Sequence, residues 1–336
     1  MPWRATTDPY AIWLSEVMLQ QTQVATVEPY YHRFLLTFPD VNALAAAPLE
    51  EVLKLWAGLG YYRRAKSLHQ SARIIASKYH GVFPSMYNEI LQLPGIGRYT
   101  AGAIASIAFN RSVPVLDGNV MRVLTRLWAI HADITRPQTQ KILWSIAETL
   151  VPRQNPGDFN QAMMELGATV CLPNNPRCKT CPLENLCAAR RENSQNQLPV
   201  KKGKSTTPRI QLAAVVLQSP QGQLLGKRSA GGLWEHIWEF PAFEIRRPTA
   251  ATVGHLFFAL TGLRIKLKRR PGIVRHQLTH RRMEYVIFSA RSSSSPVINF
   301  NSEPAFNYDA IRWIADIKSV PVARITAKIA AHLDGQ

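Results

Sequence analysis

The sequence predicts two domains of different fold class, an all-α first half and an α+β second half. From Asp8 to Asn185, apolar residues recur at helical spacing between Pro and Gly punctuation, without sustained alternation. After that point the segment IQLAAVVLQS, a QGQ turn and LLGKR predict a β-hairpin. The 336 residues suit two domains, because one hydrophobic core rarely exceeds roughly 250 residues.

The boundary is predicted from a polar, basic stretch, RRENSQNQLPVKKGKSTTPRI, near residues 189–209. Few large apolar residues occur there, so we expect an exposed linker between a domain of residues 1–188 and one of residues 210–336. In the second domain EYVIFSA predicts a strand, whereas TAATVGHLFFALTG and PVARITAKIAAHL predict helices.

The charge balance favours a polyanionic partner, although solubility alone also explains a basic protein. Lys and Arg number 40 against 22 Asp and Glu, a net charge of +18. Residues 1–200 carry 19 basic and 14 acidic side chains, and residues 201–336 carry 21 and 8. Neither a signal peptide nor a membrane span of about 20 apolar residues is evident, so we expect a cytoplasmic protein.

All four cysteines lie in one C-x6-C-x2-C-x5-C run, at Cys171, Cys178, Cys181 and Cys187. Disulfides are disfavoured in the cytosol, so four thiolates on a metal is the preferred interpretation. Structural zinc sites usually pair two short C-x2-C loops, but only one short spacing occurs here. The spacing therefore favours an iron-sulfur cubane over zinc.

A glycine-rich turn, LPGIGRYTAGAIASIAF, joins two predicted helices at residues 93–109. Pro94 and Gly95 end one helix, Gly97 allows a tight turn, and the next helix begins with free backbone N–H groups that can bind a phosphate. A plain helix–helix turn is the alternative. Aligning this segment with LWAGLGYYRRA, 37 residues earlier, suggests two helix-hairpin-helix units.

Two carboxylates are the candidate chemical groups. Asp8-Pro9 predicts the start of a helix, PYAIWLSEVMLQQTQVA, with Glu16 on its polar face. That face, by periodicity alone, is expected to be solvated. Asp117 precedes a helix that begins near Asn119 or Val120, where capping alone explains an aspartate.

These motifs together resemble one family. PWR with DPYAIWLSEVMLQQTQV, LPGIGRYTAGAI, VLDGNVMRVL, FNQAMMELGATVC and the cysteine run is similar to the MutY family of adenine DNA glycosylases, in the helix-hairpin-helix superfamily. The second half resembles that family's Nudix-like 8-oxoguanine recognition domain, through WEHIWEFPAFE and RHQLTHRRMEY. The resemblance implies a monomeric enzyme that removes adenine mispaired with 8-oxoguanine or guanine in double-stranded DNA and carries one 4Fe-4S cluster.

The resemblance assigns roles residue by residue. Glu16 is the acid that protonates adenine at N7, and Asp117 stabilises the oxocarbenium-like sugar or bonds to it transiently. Tyr99 and Asn119 position Asp117, the sugar and the attacking water. The related endonuclease III branch has a lysine at Tyr99, so no Schiff base is expected and the glycosylase is monofunctional. The positions expected to contact DNA or the flipped base are Arg4, Gln21, Tyr61, Gly95, Gly97, Gln161, Thr279 and His280.

The acid role sets a requirement on Glu16. With an ordinary pKa of about 4.3 only about one Glu in 500 is protonated at pH 7, so its pKa must rise by about 2–3 units, roughly 3–4 kcal/mol. We expect this desolvation when DNA binds. A core position is the alternative for Tyr61, which resembles the family's wedge beside the opposing base.

Three departures from the family's pattern stand out. HLFFALTG, residues 255–262, lacks the acids of a Nudix hydrolase, so pyrophosphatase activity is not expected. Leu278, Thr279 and His280 replace the usual Phe-Ser-His. A helix usually precedes PWR, so the sequence implies a shortened gene model or a trimmed fold.

The competing functions are a glycosylase for oxidised pyrimidines and a DNA-binding protein without activity.

Overall fold

The computed structural model describes residues 1–201, 203 and 207–334, and its contacts divide the chain into two compact units. Met1–Ala46 with Ser67–Lys204 form the first, and Ala47–Lys66 with Ser205–Gln336 form the second. The sequence predicted no role for residues 47–66 in the second unit. Side-chain contacts explain it: Trp238 Nε1 donates to Glu50 Oε1 at 3.2 Å, and the Tyr62 hydroxyl donates to the Val322 carbonyl at 2.9 Å.

Residues 1–201 contain helices and no β-strand, which confirms the all-α prediction. In chain order the α-helices are α1 Pro9–Leu19, α2 Val24–Thr37, α3 Val41–Ala46, α4 Leu49–Trp56, α5 Arg63–Lys78, α6 Tyr87–Leu91, α7 Arg98–Phe109, α8 Gly118–Leu127, α9 Pro137–Leu150, α10 Pro156–Thr169 and α11 Ala188–Arg191. Within the first unit α1 packs on α7, α7 on α10, and α10 on α8. This packing brings α1, α7 and α8 around one interior region.

The first helix begins as predicted but ends earlier. The Asp8 carboxylate caps α1 by accepting from the backbone N–H groups of Tyr10 and Ala11. The predicted helix continued to Ala25, whereas α1 ends at Leu19. Gln21 adopts a left-handed conformation with φ 57°, which a continuous right-handed helix cannot contain.

The second unit contains a mixed eight-stranded sheet. Its strands are β1 Arg209–Ser219, β2 Gly222–Arg228, β3 Trp238–Glu239, β4 Ala242–Glu244, β5 Lys268–Arg269, β6 Val274–Gln277, β7 Arg282–Arg291 and β8 Tyr308–Ile314. β1 forms the predicted hairpin with β2 and pairs in parallel with β7, while β5 and β6 run antiparallel to β7. The predicted helices are α12 Ala250–Thr261 and α13 Arg324–Asp334, so the α+β prediction is confirmed.

Residues 189–209 differ from the exposed linker that their composition predicted. Ala189 and Leu198 are buried. The Leu198 carbonyl accepts from Arg126 Nε at 3.0 Å, and the Val200 carbonyl accepts from the Ile134 N–H at 3.1 Å. These buried polar contacts hold the first half of the segment on the helical unit. Lys202, Lys204, Ser205 and Thr206 of the predicted linker lie outside the described residues.

Across the part of the chain that the structure describes, no helix combines the length and the apolar character needed to cross a membrane.

Gly157 on α10 offers a test of the helix packing. A Cβ there would lie 2.8 Å from the Ser106 carbonyl oxygen and 2.9 Å from Ile107 Cα on α7. Gly157→Ala should therefore destabilise the protein by about 1–3 kcal/mol, because backbone cannot move aside cheaply. In α12, a Cβ at Gly254 meets only Leu267 Cδ1 at 3.9 Å. As the matched control, Gly254→Ala should raise stability by about 0.5–1 kcal/mol, and equal thermal melting curves for both variants would contradict the packing.

Candidate active site

Glu16 lies inside the protein, not on a solvated face. All residues of α1 from Tyr10 to Met18 are buried, and Glu16 is 7% exposed. Its Oε2 accepts a hydrogen bond of 2.7 Å from the Tyr99 hydroxyl. The alternative of a solvated polar face is therefore wrong. Desolvation of Glu16, expected only with DNA bound, is already present in the protein alone.

This environment favours the protonated form of Glu16. Burial raises the pKa of Glu16 above its ordinary value of 4.5, and the nearby charge of Asp117 raises this pKa further. The hydrogen bond from Tyr99 and the positive charge of Arg4 act in the opposite direction on the same pKa without cancelling the rise. A larger fraction of this carboxyl is thus protonated near neutral pH than in water.

Asp117 caps α8 and is held by hydrogen bonds at that helix start. Its Oδ1 accepts from the Val120 N–H at 2.7 Å, and its Oδ2 accepts from Asn119 Nδ2 at 3.0 Å. Burial raises the pKa of Asp117, but these bonds and the charge of Arg122 oppose the rise. The capping interpretation is confirmed, and the cap also fixes the carboxylate in place.

Tyr99 connects the two carboxyl groups. It is the second residue of α7, and besides Glu16 its hydroxyl contacts the Met164 sulfur at 3.2 Å. Burial raises the pKa of Tyr99 well above its ordinary value, and the charges of Glu16 and Asp117 both raise it further. Tyr99 is thus hydrogen-bonded to Glu16, and Asp117 lies near enough to raise the pKa of both residues.

Two more predicted residues meet at this site. Arg4 Nη1 donates to Gln161 Oε1 on α10 at 2.7 Å, and the Arg4 charge acts on the pKa of Glu16 and of Tyr99. Gln21 is exposed, in the turn between α1 and α2. The N-terminal segment, α1, α7, α8 and α10 therefore each supply a predicted side chain to one region.

The hairpin before α7 differs in detail from its prediction. Gly95, not Gly97, has the left-handed backbone of the tight turn, with φ 77°, and a Cβ there would lie 2.5 Å from Ser67 Cβ. Gly97 is the residue before α7, and nothing lies within 4 Å of a Cβ built there. The helix start is thus open to a close backbone contact.

The four cysteines line one hollow in the first unit, and none forms a disulfide. Burial raises the pKa of Cys178 and of Cys181, and the neighbouring cysteines raise both further because thiolates repel. Among the described residues, no three or more His, Cys, Asp or Glu side chains are grouped tightly enough to hold a single metal ion. The structure thus brings the four cysteines to one place, as a shared metal group requires.

Arg126 supplies a buried positive charge to this hollow. It is 2% exposed, and its Nη1 lies 3.3 Å from Cys171 Sγ. The guanidinium donates to the carbonyls of Leu172 at 2.7 Å and Pro173 at 2.9 Å. No described carboxylate lies within ion-pair distance of it. A buried cation in this position fits an anionic metal-thiolate group.

Arg122, which the sequence analysis missed, joins the cysteine segment to the carboxylate site. Its Nε donates to the Cys171 carbonyl at 2.7 Å, and its Nη2 donates to Asn119 Oδ1 at 2.8 Å. Asn119 in turn holds Asp117. Arginines at positions i and i+4 of a helix that buries one face were the available signal for Arg122 and Arg126.

In the second unit, Tyr61 is 45% exposed and has a left-handed backbone with φ 49°. The core alternative is wrong for it, whereas the adjacent Tyr62 is buried. The Tyr61 hydroxyl is hydrogen-bonded to the hydroxyl of Thr279 in the turn between β6 and β7. His280 is exposed beside it. Two residues expected at the opposing base thus lie together.

Comparison with known proteins agrees with this architecture. Residues 14–149 match the family model of the HhH-GPD superfamily base excision DNA repair protein, and residues 212–332 match a NUDIX domain. An adenine DNA glycosylase of Buchnera aphidicola subsp. Acyrthosiphon pisum (strain APS) is 41% identical over 244 residues, 73% of this chain and 70% of that protein. This chain belongs to the adenine DNA glycosylase family.

Other relatives of the adenine DNA glycosylases extend the comparison. The Homo sapiens adenine DNA glycosylase is 49% identical over 223 residues, 64% of this chain and 41% of the human protein. A solved thermostable thymine-DNA glycosylase is 32% identical with a TM-score of 0.53, covering 57% of this chain and 88% of its own. The expected fold class and the expected function, an adenine-specific glycosylase of base excision repair, are confirmed.

The burial of Glu16 predicts a pH-dependent stability difference. Since its folded pKa lies above the unfolded value of 4.5, ionisation of Glu16 destabilises the fold as pH rises from the unfolded pKa to the folded one. Glu16→Gln should melt like the wild type near pH 4. At higher pH it should be more stable, by about 1.4 kcal/mol per unit of pKa shift.

Thermal unfolding between pH 4 and pH 9 measures this difference. Glu165→Gln, which changes an exposed carboxylate on α10, is the control and should follow the wild type throughout. Equal stability of the wild type and Glu16→Gln at every pH would show that ionisation of Glu16 does not destabilise the fold.

Proposed function

We propose that this adenine DNA glycosylase excises adenine opposite 8-oxoguanine or guanine by hydrolysis of the N-glycosidic bond. One observation supports the proposal above all: the buried Glu16 of α1 is hydrogen-bonded to the Tyr99 hydroxyl, and the Asp117 carboxylate at the start of α8 lies near enough to raise the pKa of both. Cleavage of glycosidic bonds generally uses two carboxyl groups in different protonation states.

Glu16 is the general acid in this proposal. Its burial and the neighbouring Asp117 raise its pKa, as protonation of adenine at N7 requires near neutral pH. The Tyr99 hydroxyl donates to Glu16 Oε2, which leaves the other carboxyl oxygen to carry the proton toward the base. A protonated purine leaves the sugar with its bonding electrons more readily than a neutral one.

Asp117 carries the negative charge. Two nearby carboxyl groups do not ionise equally, because like charges repel. Asp117 has two hydrogen bonds at a helix N-terminus and the charge of Arg122 nearby, whereas Glu16 has one described hydrogen bond. The proton therefore belongs on Glu16, and the Asp117 carboxylate stabilises the positive sugar of the transition state while Asn119 holds it.

Tyr99 limits the chemistry to hydrolysis. A strand-cleaving glycosylase needs an amine to form a Schiff base with the sugar, and a phenol cannot form one. Its pKa is raised well above the ordinary value, so the Tyr99 hydroxyl keeps its proton. It therefore positions Glu16 and does not attack the sugar.

Recognition of the opposing base falls to Tyr61, Thr279 and His280 of the second unit. A mispair lowers the cost of extruding adenine, a few kcal/mol of stacking and pairing, and Tyr61 fills the gap beside the opposing base. Thr279 keeps a hydroxyl for hydrogen bonding to 8-oxoguanine.

Since α12 contains no Asp or Glu, metal-dependent pyrophosphate hydrolysis is not proposed. A cytoplasmic, nucleoid-associated monomer remains the prediction for its location and state.

A 4Fe-4S cluster held by Cys171, Cys178, Cys181 and Cys187 completes the proposal. Bound there, it supplies a fixed anionic group on which the segment after α10 folds. Arg126 balances that charge and ties the neighbouring carbonyls, while Arg122 links the Cys171 carbonyl to Asn119. The four cysteines would supply the four thiolate ligands of such a cluster.

Base release tests the proposed reaction. The wild type should leave abasic sites in duplexes with adenine opposite 8-oxoguanine or guanine, and strands should break only after alkali. Glu16→Gln and Asp117→Asn should lose at least about 100-fold in single-turnover rate. Asp158→Asn and Glu165→Gln, which change exposed carboxylates, are the matched controls and should retain the wild-type rate.

Thymine glycol and guanine–thymine duplexes are tested alongside. Preferential release of an oxidised pyrimidine or thymine, or strand cleavage without alkali, would overturn the substrate or the hydrolytic mechanism. Full activity in a protein carrying both Glu16→Gln and Asp117→Asn would overturn the carboxylate roles.

The cluster proposal predicts a role for Arg126 in metal retention. Purified wild type should show broad visible absorption and about four irons per chain, as a cubane with four thiolate ligands requires. Arg126→Gln should lose iron to a chelator about 10–100-fold faster. Arg126→Lys keeps the positive charge but lacks the planar guanidinium, so its rate of iron loss should lie between those of the wild type and Arg126→Gln. Zinc, or equal iron loss in all three proteins, would contradict the assignment.

A further inference from the structure

One edge of the second unit carries a series of positively charged side chains. Between Leu263 and Met283 the chain has eight Lys and Arg and no Asp or Glu. Four of these cations lie in or just before β5 and are exposed: Arg264, Lys266, Lys268 and Arg269. We call these four residues the β5 patch. β5 is the terminal strand on its side of the sheet path.

The β5 patch lacks the acidic partners that other cations of this unit have. Arg209 and Arg275 both pair with Glu284, and Arg228 pairs with Glu239 at 2.7 Å. Among the described residues, no ion pair within 4.0 Å involves the four cations of the patch. Their charges are thus available to an anion from outside the chain.

The spacing of the patch suits a polymer of phosphates. Arg264, Lys266 and Lys268 are exposed and alternate with the less exposed Ile265 and Leu267. Exposed side chains on the same side of an extended chain are about 6.6 Å apart. A row of separate cations at that spacing contacts successive phosphates better than it binds one small anion.

The sheet register places the β5 patch at a defined distance from Thr279. Lys268 pairs with Ser289 on β7, whereas Gln277, at the turn that carries Thr279, pairs with Arg282. Seven residues along β7 correspond to roughly 23 Å. On a duplex whose axis runs along β7, that distance spans about seven base pairs at about 3.4 Å each.

We infer that the β5 patch is a second DNA-contact surface, which binds backbone phosphates about seven base pairs from the base that Thr279 reads. The inference rests on the proposed role of Thr279 at the opposing base. The contact carries no sequence information and adds affinity for the flanking duplex. Charged residues on an edge strand also prevent sheets from joining, but that role alone predicts no effect on DNA affinity.

A charge-neutral variant tests the β5 patch through the salt dependence of binding. Arg264→Gln, Lys266→Gln, Lys268→Gln and Arg269→Gln are combined in the full-length protein. The probe is a duplex with adenine opposite 8-oxoguanine, in which a 2′-fluorine on the adenosine slows cleavage. The slope of log Kd against log salt changes by about 0.9 for each phosphate that the protein no longer neutralises. We expect a slope reduced by roughly 2–4 for the four charges.

Three comparisons make the test specific to the patch. The control combines Arg73→Gln, Lys78→Gln, Lys141→Gln and Lys318→Gln, four other exposed cations, and should keep a slope near that of the wild type. A charge-preserving variant should also keep it; this variant combines Arg264→Lys, Lys266→Arg, Lys268→Arg and Arg269→Lys. On a duplex with only about five base pairs on each side of the lesion, the difference between wild type and neutral variant should vanish.

The outcomes separate this inference from the proposed function. An unchanged slope in the neutral variant, an equal fall in the control, or a difference that persists on the short duplex would overturn the β5 patch as a DNA contact. Single-turnover excision at saturating protein should be the same in wild type and neutral variant. Failure of the wild type to excise adenine would instead overturn the proposed function.

Discussion

Desolvation of Glu16 beside the Tyr99 hydroxyl and the Asp117 carboxylate is the constraint on which the proposed chemistry depends. Glu16 is almost fully desolvated and hydrogen-bonded to Tyr99, and Asp117 acts on both residues. If water reached both carboxyl groups, they would ionise with ordinary pKa values, and neither would be protonated at neutral pH. The surrounding helices exclude that water, so the fold itself creates the difference between the acid and the carboxylate.

Much of the remaining first unit holds these groups in place. A close approach of α8 and α10 leaves no room for a Cβ at Gly167, where it would lie 2.6 Å from Asn119 Cβ. Arg122 connects Asn119 to the carbonyl of Cys171, and Arg126 connects α8 to the segment that carries the cysteines. The cysteine hollow and the carboxylate site therefore share one helix, α8, and the hydrogen bonds of Arg122 join them.

Residues close together in the sequence were enough to predict several helices, caps and strands. The features that were not predicted depend on contacts between residues distant in the sequence. The caps at Asp8 and Asp117, the hairpin β1–β2 and the helices α12 and α13 follow from neighbouring residues. Periodicity placed Glu16 on a polar face, but α1 is buried on that side too, which depends on partners distant in sequence. The early end of α1, the packing of residues 189–200 and the grouping of residues 47–66 with the sheet have the same origin. Arg122 lies within VLDGNVMRVL and four residues before Arg126, but only the contacts reveal what the two side chains hold.

The pH dependence of single-turnover adenine release tests the central claim most directly. If Glu16 acts as a protonated acid in the desolvated site, the rate should fall with increasing pH above an apparent pKa that is higher than 4.5, and Glu16→Gln should abolish that ionisation. A rate that stays constant from pH 5 to pH 9 in the wild type would show that no buried acid is needed, and would contradict the account.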